Sequence, residues 1–210
     1  TSLSLQDNSL ASLPENIGDI SMLVGTVNEP YVSGYSKYSL PSTCTNVYCF
    51  FGNSNTSWYY TGSLDISGNQ LAYIPASISQ LTNLVGINLS GNPLTGSWST
   101  PALPSDFGNL VNMQEFVLDN TRIATLPESF SNLANLHQIV ITWNTQLKKL
   151  PRDFGMLSWL QRFHLQGNGL EELPESFWDL PEFVMNTPDL SSTSRYYTKD
   201  VLNLRNNQLT

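Results

Sequence analysis

Charge is scarce in this chain. Only 12% of its 210 residues are Asp, Glu, Lys or Arg, well under the roughly 25% of an average soluble protein. Nine are basic and seventeen acidic, for a net charge of −8. Nucleic acid is held by clustered Lys and Arg on its phosphates, so this balance excludes it as a partner. Long apolar runs are missing too. None approaches the roughly 18 residues that suggest a membrane span, which excludes direct insertion of this segment into a bilayer. There is no HExxH, no GxSxG and no Gly-rich phosphate loop. The chain therefore reads as non-enzymatic, with no metal and no cofactor. It opens on Thr1 without a signal peptide and reads as a processed or excised piece.

Histidine and cysteine occur twice each. Cys44 and Cys49 sit in CTNVYC, where four intervening residues in a turn can bring the sulfurs together, so a disulfide is the favoured reading. A metal site needs more ligands, and no His lies nearby. Asn55-Thr56-Ser57 and Asn88-Leu89-Ser90 fit the N-glycosylation acceptor pattern. Together these features point to an extracellular or cell-surface setting.

What the chain has in plenty is repetition. Leu64-Asp65-Ile66-Ser67-Gly68-Asn69 matches Ile87-Asn88-Leu89-Ser90-Gly91-Asn92, 23 residues on. The apolar–x–apolar phrase recurs at Leu3, Phe116, Ile139, Phe163 and Leu202. Three residues after its second apolar position comes Asn8, Asn69, Asn92, Asn144, Asn168 or Asn207, with Thr121 once. A second phrase follows in each complete unit: LPENIGDI, IPASISQL, LPSDFGNL, LPESFSNL, LPRDFGML and LPESFWDL.

The physics of the pattern is direct. In the first phrase the flanking apolar residues turn inward and the residue between them turns out, as in a short strand. The Asn can satisfy backbone groups that the following bend leaves unpaired. Pro fixes φ and begins the return path, and the Ile or Phe after it plugs the opposite wall. One unit cannot cover its own ends, so stability must come from stacking.

These residues resemble the leucine-rich repeat family over nearly the whole chain outside two interruptions. The resemblance implies an α/β solenoid, a horseshoe with a parallel concave sheet and an irregular or short-helical convex side, in about seven to eight repeats. The expected divisions are an N-terminal unit at 1–27, an aromatic-rich island at 28–63, a continuous array at 64–182, a second irregular segment at 183–200, and a partial unit at 201–210 that continues a longer array. SWYYTGSLDISGNQL, residues 57–71, is echoed by SRYYTKDVLNLRNNQL, residues 194–209, and reads as duplication of a multi-repeat block.

Two surfaces are candidates for binding. Residues 28–63 hold nine of the 23 aromatics with only two charges, Glu29 and Lys37. A disordered loop is poor in aromatics, so this segment should pack. It resembles the islands of some plant receptor ectodomains, which implies ligand contacts by Tyr31, Tyr35, Tyr38, Trp58, Tyr59 and Tyr60. The second surface is the concave sheet, where family members bind proteins or peptides. Register places Glu115, Val117, Asp119, Gln138, Val140, Thr142, Arg162, His164 and Gln166 there, with Trp143 at a strand exit. Trp and Arg are the residue types that most often anchor interfaces. The functional expectation is an extracellular module, a receptor ectodomain or adhesion unit, that takes a protein or peptide ligand. The alternatives are a structural section of a large surface or matrix assembly touching neighbouring copies of the array, and an intracellular scaffold.

Overall fold

A computed structural model describes residues 3–20, 62–97, 99–160, 162–180 and 203–210. The island, apart from residues 62 and 63, and the segment 183–200 lie outside the described residues. Cys44, Cys49, Asn55 and the six aromatic island contacts lie outside them too.

Six strands run in chain order: β1 Leu3–Ser4, β2 Ser63–Asp65, β3 Gly86–Asn88, β4 Glu115–Asp119, β5 Gln138–Thr142 and β6 Arg162–His164. They form one open parallel sheet in the order β1 to β6. Leu3, Leu64, Ile87, Phe116, Ile139 and Phe163 stand in register, and Asn203 pairs with His164 as a further bridge. The expected inward positions are closed. Leu64, Ile87, Phe116, Ile139 and Phe163 are buried at 0–1% exposure.

Opposite the sheet, the return phrases form short 3-10 turns at Ile17–Asp19, Ala76–Gln80, Phe107–Asn109, Glu128–Asn132, Phe154–Met156 and Glu175–Asp179. Their plug residues Ile17, Ile78, Phe107, Phe130, Phe154 and Phe177 are all buried. The last four form a stack, with ring centroids 6.3, 6.3 and 6.4 Å apart. Phe116 meets Phe130 edge-on from the sheet side at 5.0 Å. A ring face packed on a ring face, closed by an edge, suits the aromatic quadrupole. Each fully buried Phe or Leu contributes about 1.5–3 kcal/mol.

The asparagines tie the units together. Asn144 is fully buried. Its Nδ2 donates to the carbonyls of Leu118 and Thr142 at 2.9 and 3.0 Å, and its Oδ1 accepts from the Thr121 amide at 2.9 Å and hydroxyl at 2.6 Å. Asn69, Asn92, Asn168 and Asn207 each donate in the same way to a carbonyl of the preceding unit. The Thr121 side chain has no amide to donate to the preceding unit; its hydroxyl donates to Asn144 and accepts from the Ile123 amide at 3.4 Å.

The convex turns alternate. Three turns carry Gly two places before the closing apolar residue: Gly18, Gly108 and Gly155. A Cβ at these positions would lie 2.1, 1.8 and 1.7 Å from the carbonyl oxygen of Ser77, Ser129 and Ser176 in the next unit. The same glycine amides donate to the hydroxyls of those serines at 3.3, 3.0 and 3.1 Å. In the intervening turns Ser79 and Ser131 hold that place, so a Cβ fills the space that a carbonyl occupies in the others. Ser79 bridges to Asp106 at 2.9 Å, while the Ser131 hydroxyl has no partner. Close and wide junctions therefore follow one another along the convex side.

Candidate functional site

The outward rows of the sheet are set by the same register. Gly86, Glu115, Gln138 and Arg162 form the first row, and Asn88, Val117, Val140 and His164 the second. Asp119 and Thr142 belong to the third, with Gln166 and Arg205 continuing it beyond the strand ends. The expected apolar pair, Val117 and Val140, is adjacent as the sequence implied.

Their accessibility differs from the expectation. Glu115, Val117, Gln138, Val140 and Thr142 are buried, with Val117 at 0%. A side chain without accessible surface cannot touch a partner as it stands. The accessible part of the expected surface is Asp119, Arg162, His164 and Gln166, all half-buried, and Trp143, which is 52% exposed. Two neighbours that the sequence reading left off its binding list complete it: half-buried Asn203 and exposed Arg205. Their signal was available, because Leu202-Asn203-Leu204 is the same strand phrase and puts both on the concave face.

Asn88 needs correction as a glycosylation candidate. It is 2% exposed, and its Oδ1 accepts from the Ser90 amide at 3.1 Å. Asp65 and Asn203 make the same bond two residues ahead, to the amides of Ser67 and Arg205. The acceptor motif at Asn88 is a by-product of a strand-end device, and a glycan has no room there.

Trp143 is held in place from beneath. It adopts a positive φ of 58°, and its indole lies over Gly167, where a Cβ would come within 2.5 Å of the ring. One face of the indole thus rests on glycine backbone while about half the residue stays open. The Gly167 amide donates to the Arg205 carbonyl at 2.9 Å, and the Trp143 amide to the Gln166 carbonyl at 3.1 Å. Trp143, Gln166 and Arg205 are thereby fixed side by side at three strand exits.

The electrostatics of this end are uneven. Burial pushes the Asp119 carboxyl above its usual range, against the opposing effect of the Thr142 hydroxyl that donates to it. Burial pushes His164 down, and the neighbouring Arg162 guanidinium adds to the shift. Both effects favour neutral side chains here. Among the described residues no group of three or more His, Cys, Asp or Glu could hold a metal ion, and no described helix is long and apolar enough to cross a membrane.

Residues 159–180 match the Leucine Rich Repeat family model. The fold is similar to that of a leucine-rich repeat protein of Leptospira interrogans, at 24% identity and a TM-score of 0.61, covering 98% of this chain and 37% of that one. It is also similar to the leucine-rich repeat domain of the type III effector XopL, at 22% identity and a TM-score of 0.50, over 58% of this chain and 42% of that one. The chain thus spans well under half the length of these solved structures. No curated protein matches it.

Proposed function

We propose that this leucine-rich-repeat solenoid is a binding module that takes a protein or peptide on the open end of its concave face, in an extracellular or cell-surface setting. One observation carries the reading: a half-open Trp143, seated on Gly167, stands near exposed Arg205 at the strand exits, with half-buried Arg162 at the other end of the same face. A rigid aromatic and an arginine are the usual anchors of interfaces. Their support is preorganised by the sheet and the asparagine ladder, which limits the entropy lost on association. Recognition, not catalysis, is what such a constellation can do, since nothing in it pairs a nucleophile with a base.

The extracellular part rests on Cys44 and Cys49 and on the acceptor motif at Asn55. Mass analysis of the native chain without reductant tests it. A mass two hydrogen atoms lighter than the reduced chain supports an oxidising compartment, and free thiols overturn it. The binding part is tested by selecting ligands from a displayed random-peptide library and repeating the measurement with Trp143→Ala. Loss of capture with an unchanged melting curve supports the concave site, and unchanged capture removes it.

A further inference from the structure

Asparagine followed by glycine occurs once in the 210 residues, at Asn168-Gly169. The step is chemically fragile. The backbone nitrogen of the following residue can attack an asparagine side chain, and glycine, having no Cβ, leaves that nitrogen unshielded. Asparagine is accordingly one of the thermolabile residues that heat-adapted proteins use sparingly.

The packing nevertheless requires both halves of the step. Asn168 is the ladder asparagine of its unit. Its Nδ2 donates to the carbonyls of Ile141 and Leu165, both at 2.7 Å, and its Oδ1 accepts from the Asn144 amide at 2.9 Å. Gly169 has no room for a Cβ, which would lie 2.2 Å from the Thr145 carbonyl oxygen and 3.0 Å from its carbon. The other asparagines at this place in the repeat are followed by Ser9, Gln70, Pro93, Thr145 and Gln208. Only Asn168 has an open nitrogen behind it.

The folded chain keeps the reacting atoms apart. The carboxamide is fastened by three hydrogen bonds, and the residue is 3% exposed. The Gly169 amide donates to the Asn144 carbonyl at 3.3 Å, so its nitrogen must give up that bond and its proton before it can attack. We propose that Asn168-Gly169 is a fold-gated deamidation site, inert while the unit is stacked and reactive whenever the unit opens, whose product cannot re-enter the ladder. The reaction balances with water alone. The Gly169 nitrogen loses its proton to solvent base and bonds to Asn168 Cγ, and ammonia leaves. Water then opens the succinimide to an aspartate, or to an isoaspartate in which the main chain runs through Cβ. An aspartate sets acceptors in place of donors against the Ile141 and Leu165 carbonyls, at a site where burial disfavours charge. An isoaspartate adds a carbon to the main chain just before Leu170, which is fully buried. A transient opening of this unit thereby becomes permanent.

Peptide mapping by mass spectrometry tests the site. The whole chain is held in native buffer and in guanidinium chloride at the same mildly alkaline pH, and the amide-to-acid mass gain is followed at every asparagine. In denaturant Asn168 should be modified first, ahead of Asn8 and the rest, with part of the product accepted by an isoaspartyl carboxyl methyltransferase. In native buffer its rate should be lower by at least roughly tenfold. Refolding yield on dilution should fall with time in denaturant, in step with the modified fraction. Denaturant at mildly acidic pH, where the attack is suppressed, should preserve recovery. Equal rates in the two solvents overturn the gating. Modification that falls as fast on other asparagines overturns the site. Modified chains that regain the parent's melting temperature, or recovery lost equally at acidic pH, overturn the claim that the product is what bars refolding.

Discussion

Gly155→Ala adds a single methyl group, yet the structure expects it to be among the costly changes in the convex wall. The new Cβ would lie 1.7 Å from the Ser176 carbonyl oxygen and 2.7 Å from its carbon. These are backbone atoms and cannot rotate away. Ordinary contact lies at 3.4–4 Å, so the two units must part by more than an ångström at this point. Overpacking of this kind costs about 1–3 kcal/mol. Parting them also stretches the bond from the Gly155 amide to the Ser176 hydroxyl, now 3.1 Å, worth about 1 kcal/mol. The sum is about 3 kcal/mol, or roughly 6–12 °C in melting temperature for a chain of this size. Gly86→Ala is the control. Its Cβ would meet the Ser63 and Glu115 side chains at 3.6 and 3.7 Å, in ordinary contact. There the loss of unfolded-state freedom should stabilise by about 0.4–1 kcal/mol. Urea and thermal unfolding followed by circular dichroism measure both. If Gly155→Ala falls within about 0.5 kcal/mol of the parent, the close approach of alternate units is wrong.

Three further outcomes follow from the same packing. Asn144→Ala removes two donated and two accepted bonds at a fully buried site and should cost at least about 3 kcal/mol, measured by urea unfolding. Phe130→Ala opens the middle of the ring stack and should cost about 3–5 kcal/mol, with loss of near-ultraviolet ellipticity as the second readout. His164 has a folded pKa below the 6.5 of its unfolded form, so below pH 6.5 the unfolded chain takes up a proton that the folded chain does not. Stability should therefore fall as pH drops from 6.5 through the folded value. The slope should vanish in His164→Gln, and an unchanged slope assigns it to another group.

The strands, their register and the asparagine ladder were legible because each repeats. A pattern of inward Leu, Ile and Phe recurring at Leu64, Ile87, Phe116, Ile139 and Phe163 has only one arrangement that buries all of them. The Ile or Phe of the return phrase was legible for the same reason. What escaped the reading depends on distances between units. Gly108 and Gly155 were visible as residues, but only the 1.8 and 1.7 Å approaches show why Ser could not stand there. The motif Asn88-Leu89-Ser90 carries the letters of an acceptor site, and nothing in those letters reveals that the side chain is folded against its own strand end. Burial of Val117 and Val140 was equally hidden, because register tells which way a side chain points and not how much open space it meets.

The two faces of the solenoid are built on the same units. The turn Glu128–Asn132 completes the unit opened by β4, Phe154–Met156 that of β5 and Glu175–Asp179 that of β6. The wide junction at Ser131, whose hydroxyl lacks a partner, therefore joins the units of β4 and β5, and the close junction between Gly155 and Ser176 joins those of β5 and β6. At the wide junction the convex side is tied at the surface, by the Arg152 amide donating to Glu128 at 2.9 Å. The Phe107, Phe130 and Phe154 rings keep a spacing of 6.3 Å across a close and a wide junction alike, so the alternation is confined to the rim of the turns. The concave rows are therefore carried by an evenly spaced core, and the strands of Trp143 and Arg162 share a close junction.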